Sequence, residues 1–410
     1  MKSSTILSLL AVTCTLCSCS DIMEEPVVSS VEMKISQELD YKITPDEAME
    51  IANGFFKQKL SRSAVLNTDY ATITPKSRAE SADTLAYIVT PSDGEGFVLV
   101  STDKRMPPVL AFSETGTFEN SDNPVYSYII DGLDKYKPYE MDMTSNGYYF
   151  KSEYNLFDRM VELCPEDYWQ WDQKVLPYTK YVDKEHPGCP VGCVGLATTM
   201  AMLYSRDTVT VRGEFFNLYA IRNGLPHPDR RVLNPLAFDI EPEHFISIPL
   251  YDQAQAMDRI AKLLYLVGKD LNLRYEVGKT SGSSGRVAPY LRRLGYKLVH
   301  NNLQSFNVVD IVNNILNENI IYFSASLLNQ TQIGGHAWNI DGCCFDYIDG
   351  PTSEILETTI KNIFIRCNWG EGNAYNGYYN GDVFWYNWHK YGEAEYLAVE
   401  KTRELKKLKK

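Results

Sequence analysis

The chain has 410 residues, 44% of them apolar and 23% charged, which is enough for two or three domains with cores of ordinary size. A formal net charge of −13 excludes nucleic acid as an expected partner, because phosphate recognition needs clustered Lys and Arg. Nine cysteines occur without the regular spacing of a disulfide framework.

Lys2 and the apolar run Ile6 to Val12 predict a secretion signal, too short to span a bilayer. The run closes at Leu16-Cys17-Ser18-Cys19, which resembles a bacterial lipoprotein signal. That resemblance implies removal of residues 1–18, lipidation of Cys19 and export to a membrane face, since two or more acyl chains anchor stably. The simpler alternative is an ordinary cleaved signal. Residues 19–40 are polar and acidic and read as a tether.

Thr44-Pro45-Asp46-Glu47 predicts a helix start: a threonine N-cap, proline in the first turn and a glutamate that completes a capping box. Ala48, Ile51, Ala52, Phe55 and Phe56 continue it at helical spacing. A strand is expected over Leu85 to Val89, a turn at Asp93-Gly94 and a return strand over Gly96 to Ser101. Helix and hairpin make a small α+β unit ending near Phe118. Residues 141–160 are rich in Asn, Ser, Gly, Tyr and Asp and mark a boundary. The expected divisions are an N-terminal unit over 41–145, a linker over 146–160, a larger unit over 161–400 and a solvated basic tail over 401–410. In the larger unit, helices over Cys193 to Tyr204 and Asp258 to Val267 precede strands over Ile320 to Ser326, His336 to Ile340, Ile363 to Asn368 and Tyr396 to Val399. Helices first and strands afterwards predict α+β.

Six cysteines lie beyond the signal: Cys164, Cys189, Cys193, Cys343, Cys344 and Cys367. Pro190 and Gly192 break structure just before Cys193, and from there every residue to Leu203 is small, apolar or a threonine. A cysteine opening a buried helix has its thiolate favoured by the helix N-terminus. Gly192 leaves room for a substrate backbone. The competing readings are a structural cysteine, or zinc bound by His186, Cys189 and Cys193, which lacks a fourth ligand. No metal or cofactor is expected. Gly334-Gly335-His336-Ala337-Trp338, followed by an Asp341-Gly342 turn, offers His336 as general base. An imidazole needs an orienting group. Asn368, with Trp369 shielding the bond, is the candidate. Gln173, within Trp171-Asp172-Gln173, and the Cys193 backbone N–H are candidate oxyanion donors.

In order, Trp171-Asp172-Gln173 with Pro177-Tyr178, Gly192-Cys193, Gly335-His336-Ala337-Trp338 with Asp341-Gly342, and Asn368-Trp369-Gly370 resemble the streptopain family, a branch of the papain-like cysteine proteases. The resemblance extends over about residues 40 to 400. It implies a papain-like catalytic unit of two subdomains, one helical with the Cys and one an antiparallel sheet with the His, behind an inhibitory prodomain. It implies Cys193 as nucleophile, His336 as proton acceptor, Gln173 as oxyanion donor and Asn368 as orienting residue. Ser281-Gly282-Ser283-Ser284-Gly285 looks like the family's substrate loop, so Ser283 and Gly335 would hydrogen-bond substrate backbone and Trp369 would line the groove; otherwise the loop reads as a flexible linker. The implied partners are protein or peptide substrates, the chain's own prodomain and, before maturation, the membrane through Cys19. Two departures stand out. Glu371 replaces a second tryptophan, which predicts an acidic groove rim. The stretch Cys343 to Asn362 is long enough for an extra hairpin or loop. The alternatives are a transglutaminase-like acyl transferase, which would place an aspartate beside His336, and a catalytically idle binding protein.

Overall fold

The computed structural model describes residues 41–59, 68–73, 84–92, 96–118, 124–135, 157–164, 171–225, 251–329, 332–352, 355–356, 358–381, 383 and 394–402. The signal, Cys19, the tether, the Asp93-Gly94 turn, most of the linker and nearly all of the basic tail lie outside the described residues.

Helix α1 (Pro45–Lys59) starts as expected. Thr44 N–H donates to Glu47 Oε2 at 2.8 Å, and Glu47 N–H donates to Thr44 Oγ1 at 3.3 Å. Ala48, Ile51, Ala52, Phe55 and Phe56 are all buried. Each phenylalanine buried this way stabilises by about 2 kcal/mol. Strands β1 (Thr68–Ile73), β2 (Ala86–Pro91), β3 (Phe97–Ser101) and β4 (Val109–Ser113) form an antiparallel meander behind α1. Helix α2 (Pro124–Lys135) follows, so this unit runs beyond Phe118. The expected linker ends in a strand, β5 (Arg159–Glu162).

The larger unit begins with a short helix α3 (Lys180–Glu185) and the buried helix α4 (Cys193–Ser205). A hairpin, β6 (Thr208–Val211) and β7 (Glu214–Asn217), leads into α5 (Leu218–Gly224). Helix α6 (Gln253–Asp270) has its own capping box at Asp252 and Gln255. A second hairpin, β8 (Arg274–Glu276) and β9 (Lys279–Ser281), precedes α7 (Val287–Arg293), the two-residue strand β10 (Gln304–Ser305) and α8 (Val308–Leu316). The sheet strands follow: β11 (Ile320–Asn329), β12 (Gln332–Tyr347), β13 (Ile360–Asn368), β14 (Gly377–Asn380) and β15 (Ala394–Val399).

The described strands of both units join in one eleven-stranded sheet, ordered β1-β2-β3-β4-β14-β13-β12-β11-β15-β10, with β5 added along β12. The joint is β4 against β14, through Phe112 with Tyr378 and Ala111 with Tyr379. Strand β12 is too long for one neighbour on each edge. Its first half pairs with β11 and its second half with β5 on that same side. The Asp341-Gly342 turn is therefore not a turn. The strand passes through it with a register shift between Ile340 and Gly342. Asp341 is buried there against the Arg366 guanidinium at 3.3 Å, and an added Cβ on Gly342 would lie 2.7 Å from Val161 O. The long Cys343 to Asn362 stretch is the extension of the β12–β13 hairpin.

Side chains alternate across this sheet as the pleat requires. Tyr322, Ala337, Leu397 and Val399 pack on the helical side with α4 and α6. Phe323, Trp338, Tyr396 and Ala398 pack on the other side, with Val125 and Ile129 of α2 and Ile311 of α8. The same alternation accounts for the adjacent cysteines. Cys343 joins the second core, whereas Cys344 joins the cluster under α1 with Phe55, Phe112 and Phe364. Among the described residues no helix is long and apolar enough to cross a membrane.

Candidate active site

Cys193 is the first residue of α4, and residues Val194 to Leu203 of that helix are all buried. A helix enclosed on every face has one permitted position, so its first residue is fixed by the core. The buried threonines are satisfied internally: Thr198 Oγ1 donates to Val194 O and Thr199 Oγ1 to Gly195 O, at 2.6 and 2.8 Å. Gly192 has φ +93°, and a Cβ there would lie 2.7 Å from Thr280 Cγ2. Thr280 Oγ1 in turn donates to Pro190 O at 2.6 Å, so β9 clamps the turn that delivers Cys193.

His336 is opposite Ala325 in the β11–β12 ladder and is 5% exposed. Its ring stacks near Trp338 and Trp369, with centroids 5.9 and 6.1 Å away, and those two indoles are 4.5 Å apart. Its Nε2 is 2.9 Å from Trp369 O. A carbonyl only accepts, so Nε2 carries the hydrogen and Nδ1 is left to exchange a proton with a thiol. The side chains of Cys193 and His336 meet. Burial alone would push the Cys193 thiol up, but the hydrogen bond and charge of His336, with the Ala337 and Val194 backbone, outweigh it and hold the thiol below its usual range. Burial alone would pull His336 down; Cys193, the Glu371 carboxylate and the Trp369 carbonyl hold it above its usual range instead. Other thiols behave oppositely: burial pushes Cys343 up to about 12 and raises Cys367 well above its normal value.

The group on the imidazole is therefore the Trp369 carbonyl and not the Asn368 amide. Asn368 Oδ1 accepts from Gly370 N–H at 3.2 Å, a local bond across the tight turn that follows β13. Asn376 holds the same loop from the other side: Trp369 N–H donates to its Oδ1 and its Nδ2 donates to Gly372 O, both at 2.9 Å. Asn368 thus shapes the turn that aims the carbonyl.

Gln173 is buried between the two halves of the site. Its N–H donates to Gly370 O at 3.2 Å, and its carbonyl accepts from Val191 N–H at 2.8 Å, two residues before Cys193. Its Nε2 donates to Glu371 Oε1 at 2.6 Å. Glu371 is only 7% exposed and also binds Lys174 Nζ through Oε2 at 2.6 Å. The expected acidic groove rim is thus absent: backbone pairing with Asp172 turns Glu371 inward.

The Ser281 to Gly285 stretch is folded, not a linker. It is the end of β9 followed by a 3-10 turn (Ser284–Arg286), with Ser283 as the cap residue. A Cβ on Gly282 would meet Leu273 and, at 3.5 Å, Val194, so the loop packs beside the first turn of α4. Gly335 is exposed at the β12 edge position before His336. Trp369, expected to line the groove, is 2% exposed and covered by His336, Trp338 and Tyr379, so with the N-terminal unit in place it offers no surface to a substrate. That unit reaches the site itself. Tyr128 of α2 donates its hydroxyl to Ala325 O, opposite His336, and its ring is 6.2 Å from the imidazole. Among the described residues no group of three or more His, Cys, Asp or Glu is placed to hold a metal ion. His186 instead stacks on Tyr275 at 4.7 Å.

Residues 171–379, just over half of the chain, match the Peptidase C10 family. The chain belongs to that family. Residues 40–137 match the Spi protease inhibitor family. Streptopain of Streptococcus pyogenes serotype M28 (strain MGAS6180) is 25% identical over 330 residues, covering 72% of this chain and 74% of that protein. Streptopain of serotype M3 (strain ATCC BAA-595 / MGAS315) is 24% identical over 329 residues with the same shares. Among solved structures, a prointerpain A fragment from Prevotella intermedia has 16% identity and a TM-score of 0.45, covering 80% of this chain and 98% of that one.

This C10 chain is a cysteine peptidase with an inhibitor-type prodomain ahead of it. The α+β expectation holds, and with a peptidase family shown the transglutaminase-like and idle-binder readings fall away. No aspartate takes the orienting place beside His336; a peptide carbonyl does. Of two further contributors, one carried no usable signal in the sequence and the other a signal without its direction. Tyr128 acts across nearly half the chain. Glu371 was visible as a departure from the C10 pattern, but its direction was not.

Proposed function

We propose that this chain is an exported cysteine endopeptidase made as an inactive precursor, with Cys193 and His336 as its catalytic dyad. The observation that carries this reading is their contact, with the thiol held below and the imidazole above their ordinary ranges. Opposed shifts favour the thiolate–imidazolium pair over the neutral pair. Cys193 Sγ attacks the scissile carbonyl carbon, and the oxyanion receives N–H bonds from Gln173 and the Cys193 backbone. The C–N bond breaks as His336 protonates the leaving amine. His336 then takes a proton from water, whose oxygen attacks the acyl carbon, and the C–S bond breaks to release the acid.

The inactive state is supported by Tyr128, which places prodomain α2 against His336. A cut between about Met141 and Met160 would release the catalytic unit from the prodomain and from lipidated Cys19, so the mature enzyme would leave the membrane. The test is full-length wild-type and Cys193→Ala chains incubated alone, with N-terminal sequencing, activity and an epoxide-peptide adduct map. Wild type should shorten by the prodomain as activity rises, with the adduct on Cys193; Cys193→Ala should stay intact until active enzyme is added. An adduct on Cys189, or uncut chain as active as any shortened form, refutes the reading.

A further inference from the structure

Glu371 occupies a place that a rim residue or a stabilising surface ion pair does not explain. Its carboxylate is buried, its Oε1 accepts from Gln173 Nε2 at 2.6 Å, and its Oε2 accepts from Lys174 Nζ at 2.6 Å. A carboxylate is acceptor-only, so it selects the NH₂ end of the Gln173 amide and rejects the carbonyl end. One N–H is committed to Glu371, and the other keeps a fixed direction. The backbone makes this pairing rigid. Gln173 N–H donates to Gly370 O at 3.2 Å and Gly372 N–H to Trp171 O at 2.9 Å, on either side of the Asp172–Glu371 bridge. Lys174 completes the arrangement by neutralising a carboxylate that lies near Asp172, whose own acid is raised by burial and by Glu371.

We infer that Glu371 is a positioning residue for the oxyanion donor: it holds the Gln173 amide so that its second N–H faces the developing charge at Cys193. This rests on the proposed role of Gln173. The turn after β13 then has two positioning tasks, the Trp369 carbonyl on His336 and the Glu371 carboxylate on Gln173. A donor displaced by a fraction of an ångström loses much of its value to a transition state while substrate binding is little changed.

The experiment is a double-substitution cycle on kcat and KM for a peptide amide. Each full-length chain is matured by a trace of tagged wild-type enzyme that is then removed, and turnover is expressed per active site titrated with an epoxide peptide. Gln173→Ala should lower kcat by about 10²-fold, the loss of one donor. Glu371→Ala should lower kcat by about tenfold with KM changed less than about twofold, and should have no further effect in the Gln173→Ala background. The near-isosteric Glu371→Gln, which keeps an acceptor and the volume, should recover most of that loss, and it serves as the cycle partner if Glu371→Ala does not fold. Equal losses from Glu371 substitution with and without Gln173 overturn the inference while leaving the active-site reading intact. Full kcat in Gln173→Ala overturns the reading on which it rests, and the inference with it.

Discussion

Cys193 and His336 are held in place by opposite kinds of structure. Cys193 is the end residue of a helix enclosed by core, and its immediate supports are the Pro190–Gly192 turn and Thr280. His336 lies within a strand, and its position depends on a carbonyl 33 residues away, two indoles and a tyrosine from another unit. Cys193 is therefore placed by one buried helix and the β9 clamp at its start. The base is a cooperative product of the sheet and everything packed on it. Distant changes should disturb His336 before they disturb Cys193, and the Tyr128 contact of the N-terminal unit falls on the His336 side.

The largest effect expected is loss of either reacting group. Cys193→Ala and His336→Ala should each lower kcat/KM by about 10⁴-fold or more, whereas Asn368→Ala, which only loosens the turn under Trp369, should cost about tenfold. Hydrolysis of a chromogenic peptide by equal amounts of folded protein checks this. Asn368→Ala as damaging as His336→Ala would mean the amide does more than shape the turn.

A pH profile tests the asymmetry more finely. The thiolate forms at a pH below that of an ordinary thiol, and the imidazolium survives above the pH at which ordinary histidine loses its proton, about 6.5. Activity should fall on the acid side as Cys193 takes up a proton and on the alkaline side as His336 loses one. The charged groups acting on this pair are each other and Glu371. In His336→Ala, burial dominates, so iodoacetamide labelling of Cys193 should move to distinctly higher pH. Labelling that keeps its wild-type pH dependence would show that the helix N-terminus alone activates the thiol.

The smallest effect concerns Tyr128. Tyr128→Phe removes one hydroxyl-to-carbonyl bond, worth about 1 kcal/mol, and should speed appearance of activity from the uncut chain about fivefold. A time course of full-length chain by gel and peptide assay measures it. An unchanged time course would separate latency from this contact.

The elements that local chemistry writes were legible in advance. The Thr44–Glu47 box and the spacing from Ala48 to Phe56 are α1, and an apolar run after Gly192 is α4. The order of four short motifs pointed to Cys193 and His336, whose side chains act on each other in the structure. What residue order left open was decided by pairing across the chain. Asp341-Gly342, a turn by composition, is carried through as a bulged strand because β5, β11 and β13 all bind β12. The N-terminal sheet is continued into the catalytic one by β4 and β14, which no local signal encodes. Trp369 O displaced Asn368 as the group on His336, and Glu371 turned inward, because the turn after β13 is fixed by Asn376, Gln173 and Trp171 from outside it. Caps and periodicity act over a few residues and are fixed by the sequence alone. The choice of a buried polar partner depends on which groups burial brings within about 3 Å, and that exists only once the chain has folded.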